Sequence, residues 1–259
     1  RFSSLRMKNP FPSTVTRVCL LASLATSASA PRAFSAEPVP PAEILQDLRE
    51  FEQLGRVLHI GAHPDDENTL QITYLSRHRH YQTAYLSVTR GDGGQNEIGP
   101  EFDAELGLAR TQELLEARRV DGGRQYFTRA LDFGFSKDYL ETMRVWDRQQ
   151  ILGDVVRVIR TFRPDVITTV FSSIPSTTHG HHTASAVLAL EAFKLAGNPQ
   201  AYPEQLADGL KPWQPTRIFT GAGGGGRGGP PAGTPGIVRL EISGNDEVTG
   251  EFYSAISAR

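Results

Sequence analysis

The amino-acid sequence predicts an α/β fold: a Rossmann-like, doubly wound, mostly parallel sheet with helices on both faces. Short apolar runs alternate with segments of helical periodicity between residues 44 and 221, and the clearest of the apolar runs are rich in β-branched residues. This alternation requires crossover connections, and right-handed crossovers produce a parallel sheet that is covered on both faces. The composition agrees with a globular domain, since 39% of the 259 residues are hydrophobic and 22% are charged.

The first predicted elements lead from a helix into the sheet. Apolar residues recur at helical spacing over residues 44–54. The run "RVLHIGAH", residues 56–63, then predicts a buried strand. A helix is expected over residues 66–78 and a second strand over residues 83–88.

The later elements repeat the alternation after a Gly-rich loop at residues 90–102. Two of the helices have clear stop signals, because Gly122-Gly123 ends one and Pro164 ends another. The predicted elements are a helix over 104–121, a strand within 124–134, a helix over 145–162, a strand over 165–171, a helix over 182–196 and a strand over 216–221.

Residues 1–36 have the order of a secretory signal and leader. Basic Lys8 and Arg17 precede an apolar stretch at residues 18–25, and small residues follow it. The stretch is too short for a transmembrane span. We therefore predict an exported, periplasmic or extracellular protein without a transmembrane helix in the mature chain; a disordered tail is the alternative. The single cysteine, Cys19, lies inside the leader, so the mature chain is expected to have no disulfide.

The remaining boundaries follow from composition. We expect residues 37–54 to form a Pro-rich spacer and an N-terminal helix, and residues 55–220 to form the functional domain. Residues 221–236 contain a G-x-G-x-x-G pattern, but prolines rather than a helix follow it, so a flexible loop is predicted instead of a dinucleotide site. Residues 237–259 are expected to form a strand and the start of a C-terminal region, and no terminating pattern precedes Arg259. The sequence is therefore compatible with the front part of a longer protein.

Charge and histidine content narrow the function. The net charge of −2 gives no indication of a nucleic-acid partner or an anionic membrane surface. Three of the seven histidines lie within residues 179–182. His63 ends the first predicted strand, and Pro64 and three acidic residues follow it. These two segments are the candidates for a functional site.

The two segments are expected to meet in space. His63 and the 179–182 cluster follow the first and fourth predicted strands, which are neighbours at the point where strand order reverses in such sheets. His63 and Asp66 can converge on one ion, and two histidines with one aspartate leave an open position on tetrahedral zinc. Two simpler interpretations are that the acidic residues 65–67 cap the next helix and that the histidines lie in a surface loop.

Four sequence motifs resemble those of one enzyme family. They are "AHPDDE" at 62–67, "RGDGGQNEIG" at 90–99, "LARTQELLEA" at 108–117 and "HGHHTASA" at 179–186. In this order they are similar to the PIG-L/LmbE-like zinc-dependent N-acetylglucosaminyl de-N-acetylases. The resemblance implies a Rossmann-like fold, one zinc ion (or another divalent metal) and removal of the acetyl group from an acetamido sugar or glycoconjugate.

The resemblance also implies roles for individual residues. Its zinc ligands are His63, Asp66 and His182. Asp65 corresponds to the general base that takes a proton from water. His179 corresponds to the residue that stabilises the oxyanion or protonates the leaving amine.

Four further positions qualify the resemblance. Arg90 matches a family arginine that contacts substrate, whereas Arg110 and Glu113 fall on a family helix where a structural role is at least as well supported. His181 stands where the family usually has an aspartate, which removes a carboxylate partner for the site histidines. We predict that His181 is not a metal ligand, because adjacent residues at a helix start point about 100° apart.

Other functions remain open at this stage. The same metal centre could hydrolyse another amide or an ester, and a non-catalytic metal-binding or glycan-binding protein would need the ligands without Asp65 and His179. The sequence does not identify the sugar or its aglycone.

Overall fold

The computed structural model describes residues 39–175, 178–221 and 233–259. The described residues form one five-stranded sheet, all of whose strands are parallel. The strands are β1 (Arg56–Gly61), β2 (Gln82–Thr89), β3 (Arg124–Ala130), β4 (Val166–Thr169) and β5 (Arg217–Thr220).

The strand order is β3-β2-β1-β4-β5. The chain therefore adds β2 and β3 on one side of β1, and then crosses over to add β4 and β5 on the other side. The reversal lies between β1 and β4, where Val57 pairs with Val166 and Ile60 pairs with Thr169. This arrangement confirms the doubly wound sheet, and it confirms that the first and fourth strands are neighbours.

Eight α-helices accompany the sheet in the described part of the chain. Within the main core cluster, β1 residues Leu58 and Ile60 lie with residues of α5 and α6. A separate cluster joins Tyr85 of β2 to residues of α2 and α3, so both faces of the sheet are covered. The helices are α1 (Pro41–Phe51), α2 (Thr69–Thr73), α3 (Asp103–Asp121), α4 (Tyr139–Val145), α5 (Arg148–Phe162), α6 (Gly180–Leu195), α7 (Pro203–Ala207) and α8 (Tyr253–Ile256).

Two predicted helices differ from the helices in the structure. The helix expected over 66–78 is a 3₁₀ turn (Pro64–Asp66), then α2, and then a π-helical turn (Tyr74–His78). The helix expected over 145–162 begins three residues later, as α5, and α4 precedes it as an additional helix that was not predicted. Asp147 caps α5 by accepting a hydrogen bond from the Gln150 backbone N–H at 3.2 Å, which starts a new helix instead of continuing the old one.

The strand expected near residues 237–243 does not form. The described residues 233–259 contain one isolated antiparallel bridge, Asn245 with Phe252, and no strand. Ile237, Val238 and Leu240 are exposed. Alternating apolar residues without a neighbouring strand or a buried face give extended chain and no sheet, because the backbone groups have no ladder to join.

Two other predictions fall partly or wholly outside the described residues. The signal and leader at 1–36 lies entirely outside them, as does most of the Gly/Pro-rich loop at 221–236. Among the described residues, the helices all fall short of the length and apolar character needed to cross a membrane.

Candidate metal centre

The loop after β1 fixes the first two site residues. His63 precedes the 3₁₀ turn, and Asp66 ends it. The Asp66 Oδ2 atom accepts backbone N–H bonds from Ala62 at 3.0 Å and from His63 at 2.7 Å. The Tyr85 hydroxyl donates to the His63 carbonyl at 2.5 Å. These bonds hold the carboxylate and the imidazole on a rigid turn at the carboxyl end of the central strand.

The start of α6 brings the second histidine cluster to the same edge. Gly180 donates its N–H to the Ser136 carbonyl at 2.9 Å. A Cβ atom on Gly180 would collide with the carbonyl oxygen of Asp138, so glycine permits this close approach. The helix begins at Gly180 rather than at residue 182 as expected, which places His181 and His182 in its first turn.

The geometry of His63, Asp66 and His182 is suited to one metal ion. The His63 Nδ1 atom lies 3.2 Å from Asp66 Oδ2, and the His182 Nε2 atom lies 3.5 Å from Asp66 Oδ1. One ligand atom from each residue lies within 4.8 Å of the other two. Tetrahedral zinc with bonds of about 2.0–2.1 Å needs ligand atoms separated by about 3.3 Å. The two segments therefore meet as the sequence predicts.

A second combination of residues meets the same distance criterion. His63, His179 and His181 also offer three nitrogens within 4.8 Å of one another. It lacks a carboxylate, and its member His181 is fully buried. The set with Asp66 combines two nitrogens with one anionic oxygen and includes the more accessible His182, which suits a catalytic ion that keeps an open position.

Neighbouring groups set the charge of the first ligand. Burial disfavours the charged form of His63, but the hydrogen bond and charge of Asp66 outweigh this effect and raise the His63 pKa. Asp132 and Asp65 add to the same effect. The centre is therefore strongly anionic around His63, as expected for a site that attracts a cation.

The His182 ring is held against an aromatic side chain. It stacks on Phe171 at 3.8 Å between ring centroids, with an angle of 4° between the planes. Burial lowers the pKa of His182, so the ring favours the neutral form that binds metals. Phe171 follows β4, and the ligand orientation is therefore coupled to the end of that strand.

His179 lies beside the metal set with its ring oriented by the backbone of Ser136. The His179 Nδ1 atom is 3.2 Å from the Ser136 nitrogen, which donates to it, and 3.3 Å from the Ser136 carbonyl oxygen. Its ring stacks on Phe135 at 5.4 Å and on His63 at 5.1 Å. Burial, together with the neighbouring His63, lowers the pKa of His179.

A cavity of about 1070 Å³ opens over the centre. Its lining includes all five predicted metal and catalytic residues: His63, Asp65, Asp66, His179 and His182. Asp65 is exposed within it, and its carboxylate forms no hydrogen bond or ion pair with any other residue in the described part of the chain. The cavity can therefore admit a substrate beside an unpaired carboxylate.

The opposite wall of the cavity comes from the Gly-rich loop at residues 93–101 and from α3. Gly93 lies so close to Asp132 that a Cβ atom would collide with the Asp132 carbonyl oxygen. Arg110 and Glu113 of α3 both line the cavity, and Arg110 donates to the Gln95 carbonyl at 3.1 Å. Both residues thus face the site, whereas the sequence supports a structural role for them at least as well as a functional one.

Arg90 is not among the residues that line this cavity. Its guanidinium lies over the Phe127 ring at 4.1 Å and donates to Thr111 at 2.9 Å. It borders a separate cleft of about 510 Å³ with Arg129 and Asp154. The structure therefore does not bring the predicted substrate-binding Arg90 to the metal set.

The family comparison agrees with this centre. The profile of the PIG-L family, described as GlcNAc-PI de-N-acetylase, matches residues 58–193. The match covers more than half of the chain and includes both halves of the metal set. The chain belongs to the PIG-L family. The LmbE-like resemblance of the sequence is thereby confirmed.

Individual PIG-L relatives are similar at lower coverage. Mycothiol S-conjugate amidase of Streptomyces coelicolor is 26% identical over 181 residues, which are 65% of this chain and 61% of the relative. Diacetylchitobiose deacetylase of Thermococcus kodakarensis is 29% identical over 167 residues, 62% of this chain and 58% of the relative. The chain thus matches about three fifths of the length of these curated relatives.

A solved structure shares the fold. The N,N′-diacetylchitobiose deacetylase of Pyrococcus horikoshii superposes with a TM-score of 0.51 and 21% identity, covering 71% of this chain and 70% of that chain.

The third acid of the "AHPDDE" motif, Glu67, lies outside the metal set. Glu67 forms an ion pair with Arg118 at 2.5 Å, and Arg118 also pairs with Asp121 at 2.5 Å. Arg118 is buried. Burial disfavours its charged form, but Asp121 and Glu67 outweigh this and raise the pKa of the guanidinium. Glu67 therefore belongs to an internal ion cluster.

Asp132 is buried just beyond the carboxyl end of β3 and was not among the predicted site residues. Its carboxylate oxygens lie 3.8 Å from His63 Nε2 and 3.8 Å from His181 Nδ1. The signal was available, because Asp132 follows the third predicted strand as His63 follows the first. Phe135, which stacks on His179, had no comparable signal.

Proposed function

We propose that this protein is a metal-dependent hydrolase that removes the N-acetyl group from an acetamido sugar or its conjugate. The observation that carries the proposal is the convergence of His63, Asp66 and His182 beneath a cavity into which the unpaired Asp65 opens. Membership of the PIG-L family supports the same reaction.

The donor set favours zinc among the divalent ions. Two imidazole nitrogens and one carboxylate oxygen are typical ligands of catalytic zinc, and imidazole also suits other transition metals. Asp66 is held by two backbone N–H groups, so its orientation is set before any ion binds. A bound ion would polarise the acetamide carbonyl and acidify the attacking water.

Asp65 is the general base in this proposal. It neighbours the ligand Asp66, yet its own carboxylate is exposed in the cavity and unpaired. A carboxylate in that state can accept the proton of water as the water attacks the amide carbon. Asp65 therefore supplies the proton acceptor, while Asp66 supplies charge to the ion.

His179 can serve both halves of the reaction. When its Nδ1 accepts the Ser136 N–H, the ring carries its proton on Nε2 and can donate to the developing oxyanion. When the ring is doubly protonated, the Ser136 carbonyl at 3.3 Å can accept from Nδ1. Ser136 thus supports the neutral and the charged ring, as protonation of a leaving amine requires.

An acetamido sugar is the substrate class that the relatives favour. The Thermococcus relative is named a diacetylchitobiose deacetylase, and the Streptomyces relative is named an amidase of mycothiol S-conjugates. Both names describe cleavage of an amide. The second name keeps an alternative open, because the same centre would hydrolyse an amide with a different acyl group.

Export is also proposed, on the signal-like order of residues 1–36. Fractionation of the producing cells should recover the protein outside the cytosol with its leader removed. Recovery of protein with Met7 retained in the cytosol would contradict export, and it would leave the proposed chemistry unaffected.

The reaction is tested by metal analysis combined with a substrate panel. Purified protein loaded with zinc is incubated with N-acetylglucosamine, N,N′-diacetylchitobiose and N-acetylglucosamine glycosides, alongside acetyl esters and N-acyl peptides. We expect equal amounts of acetate and free amine from at least one acetamido sugar. The activity should be lost with a chelator and restored by the ion.

His182→Ala is the matched control, because it removes one ligand and leaves Asp65 and His179 in place. It should abolish both metal binding and acetate release. Release of acid only from the esters or the peptides would support the alternative hydrolase. A metal-loaded protein that releases acetate from none of the sugars would overturn the proposed deacetylase.

A further inference from the structure

His181 lies next to the metal set, where it contacts the Nε2 atom of the ligand His63. Its Nδ1 atom is 3.0 Å from His63 Nε2. The other nitrogen of His63, Nδ1, is the one that lies 3.2 Å from Asp66. The His63 ring therefore has one nitrogen on the metal side and one on the His181 side.

The position of His181 is fixed by its surroundings. Its side chain is fully buried, and its ring packs against Phe133 at 4.4 Å and against Trp146 at 4.8 Å. These contacts hold the imidazole in one place, so a hydrogen bond to it constrains its partner. The helix start at Gly180 adds a rigid backbone to the same end.

The nearby carboxylate does not take this place. Asp132 oxygens lie 3.8 Å from both His63 Nε2 and His181 Nδ1, beyond hydrogen-bond distance. The Asp132 Oδ1 atom accepts the Gly134 N–H at 2.8 Å instead. Among the described residues, His181 is therefore the hydrogen-bond partner of His63 Nε2.

The arrangement determines where the protons lie. A histidine that binds an ion through Nδ1 carries its proton on Nε2, and metal-bound histidines nearly always donate that proton to an acceptor. Here the acceptor within reach is His181 Nδ1. The proton of His181 then lies on its own Nε2, a buried atom for which the described residues offer no partner.

We propose that His181 is a positioning residue that accepts a hydrogen bond from His63 Nε2 and so holds His63 Nδ1 toward the ion. It would replace the acceptor that the family's usual aspartate could provide at this position. The inference rests on the metal set of the proposed function and is independent of the substrate.

The test is zinc affinity, measured by competition with a chromophoric chelator on purified variants. His181→Leu removes the acceptor and retains an apolar side chain against Phe133 and Trp146. It should weaken zinc binding about 10–100-fold, the usual cost of losing such a partner. His181→Asn retains an acceptor oxygen and should bind zinc more tightly than the leucine variant.

His59→Leu is the matched control for removing a buried histidine. His59 lies on β1, the strand that leads to His63, and is 2% exposed. Its Nδ1 atom pairs with Thr168 Oγ1 at 2.6 Å, and its Nε2 atom, like that of His181, has no partner in the described part of the chain. Within the described residues, no hydrogen bond, ion pair or ring contact joins His59 to the metal set. Its variant should lower the unfolding midpoint and leave zinc affinity unchanged.

Each outcome separates the two proposals. Wild-type zinc affinity in His181→Leu would overturn the positioning role and leave the metal set intact. Loss of zinc from both His181 variants to the level of His182→Ala would make His181 a direct ligand and also overturn it. Zinc binding that survives in His182→Ala would instead contradict the metal set of the proposed function.

A measurement on the wild-type protein tests the same inference if the His181 variants fail to fold. Nitrogen-15 shifts of the histidine rings in zinc-loaded protein distinguish protonated from unprotonated nitrogens. We expect a proton on His63 Nε2 and none on His181 Nδ1. A proton on His181 Nδ1, or a metal-bound His181, would overturn the inference.

Discussion

The acidic run after β1 feeds two charge clusters that are built differently. On the cavity side, Asp65 and Asp66 lie near histidines, and among the described residues the ion-pair partners of Asp66 are imidazoles alone. On the other side, Glu67 is paired with buried Arg118, which also binds Asp121. Three consecutive acids thus occupy one functional site and one structural site.

The difference lies in the source of the balancing charge. The Glu67 cluster contains its own guanidinium, so its two carboxylates share one permanent positive charge inside the protein. The Asp66 cluster contains imidazoles, and burial lowers the pKa of His179 and His182. These two rings favour the neutral state, and the positive charge that His63 can offer Asp66 depends on its protonation. A carboxylate cluster without a fixed cation is thus the better indicator of a metal site.

The largest expected effect is on the cavity side, at Asp65. Asp65→Asn should retain metal and fold but lose about 10²–10⁴-fold in kcat, because an amide does not accept the proton of water. KM should change much less if Asp65 has little contact with the ground-state substrate. Steady-state deacetylation kinetics at saturating metal measure both.

Glu97→Gln is the control for that substitution, since Glu97 lines the same cavity from the Gly-rich loop. It should turn over substrate at the wild-type rate. Near-full turnover of metal-loaded Asp65→Asn would contradict the assigned base.

The next effect is on the structural side, at Arg118. Arg118→Met leaves Glu67 and Asp121 buried without their cation, so the free energy of unfolding should fall by about 3–5 kcal/mol. Chemical denaturation followed by circular dichroism measures it. The folded fraction should still bind zinc, because among the described residues no hydrogen bond or ion pair joins the side chains of the metal set to this cluster.

The neighbouring Arg119 provides the comparison for Arg118. It pairs with Glu116 at 2.8 Å on the surface, with both side chains well exposed. Arg119→Ala should change the unfolding free energy by about 0–1 kcal/mol. Equal destabilisation by the two substitutions would show that burial of the Arg118 cluster does not matter.

A smaller effect distinguishes two arginines near the site. Arg110 lines the cavity, whereas Arg90 lies over Phe127 outside it. Arg110→Ala should raise KM by roughly 10-fold, the value of one hydrogen bond from a charged donor, and Arg90→Ala should raise it less. A larger KM increase for Arg90→Ala than for Arg110→Ala would support the substrate contact that the sequence motif of Arg90 predicts.

The smallest expected effect is at Phe135, which is 76% exposed at the cavity and stacks on His179. Phe135→Ala should reduce kcat/KM by about 2–10-fold, the value of one aromatic contact of about 0.5–1.5 kcal/mol. Leu131→Ala, at an equally exposed position outside the cavity lining, should leave kcat/KM unchanged. Equal losses in both would indicate a general effect on stability.

The sequence predicted the parts of the site that follow from topology. His63 and the 179–182 cluster follow strands that are neighbours at the switch point, so their meeting needed no knowledge of side-chain packing. The same rule would have found Asp132. It did not separate Glu67 from Asp66, because the separation depends on Arg118, which is distant in sequence.

Other differences came from local competition that the patterns do not show. Asp147 is the N-cap of α5, so the helix starts at Arg148. The apolar spacing continues back to residue 145 and therefore predicts an earlier start. Residues 237–243 alternate like a strand but have no neighbouring strand in the described residues. Arg90 lies at a strand end, where the direction of one side chain decides whether it faces the cavity.

Adjacent Asp65 and Asp66 have different functions in the proposed site, and the metal content of single variants distinguishes the two. Zinc bound per chain is measured for Asp65→Asn, Asp66→Asn and the wild-type protein at matched folding. We expect Asp65→Asn to bind as much zinc per chain as the wild-type protein. Asp66→Asn should lose its zinc, because a neutral amide is a poor replacement for an anionic ligand. Wild-type zinc in Asp66→Asn, or its loss in Asp65→Asn, would contradict the account.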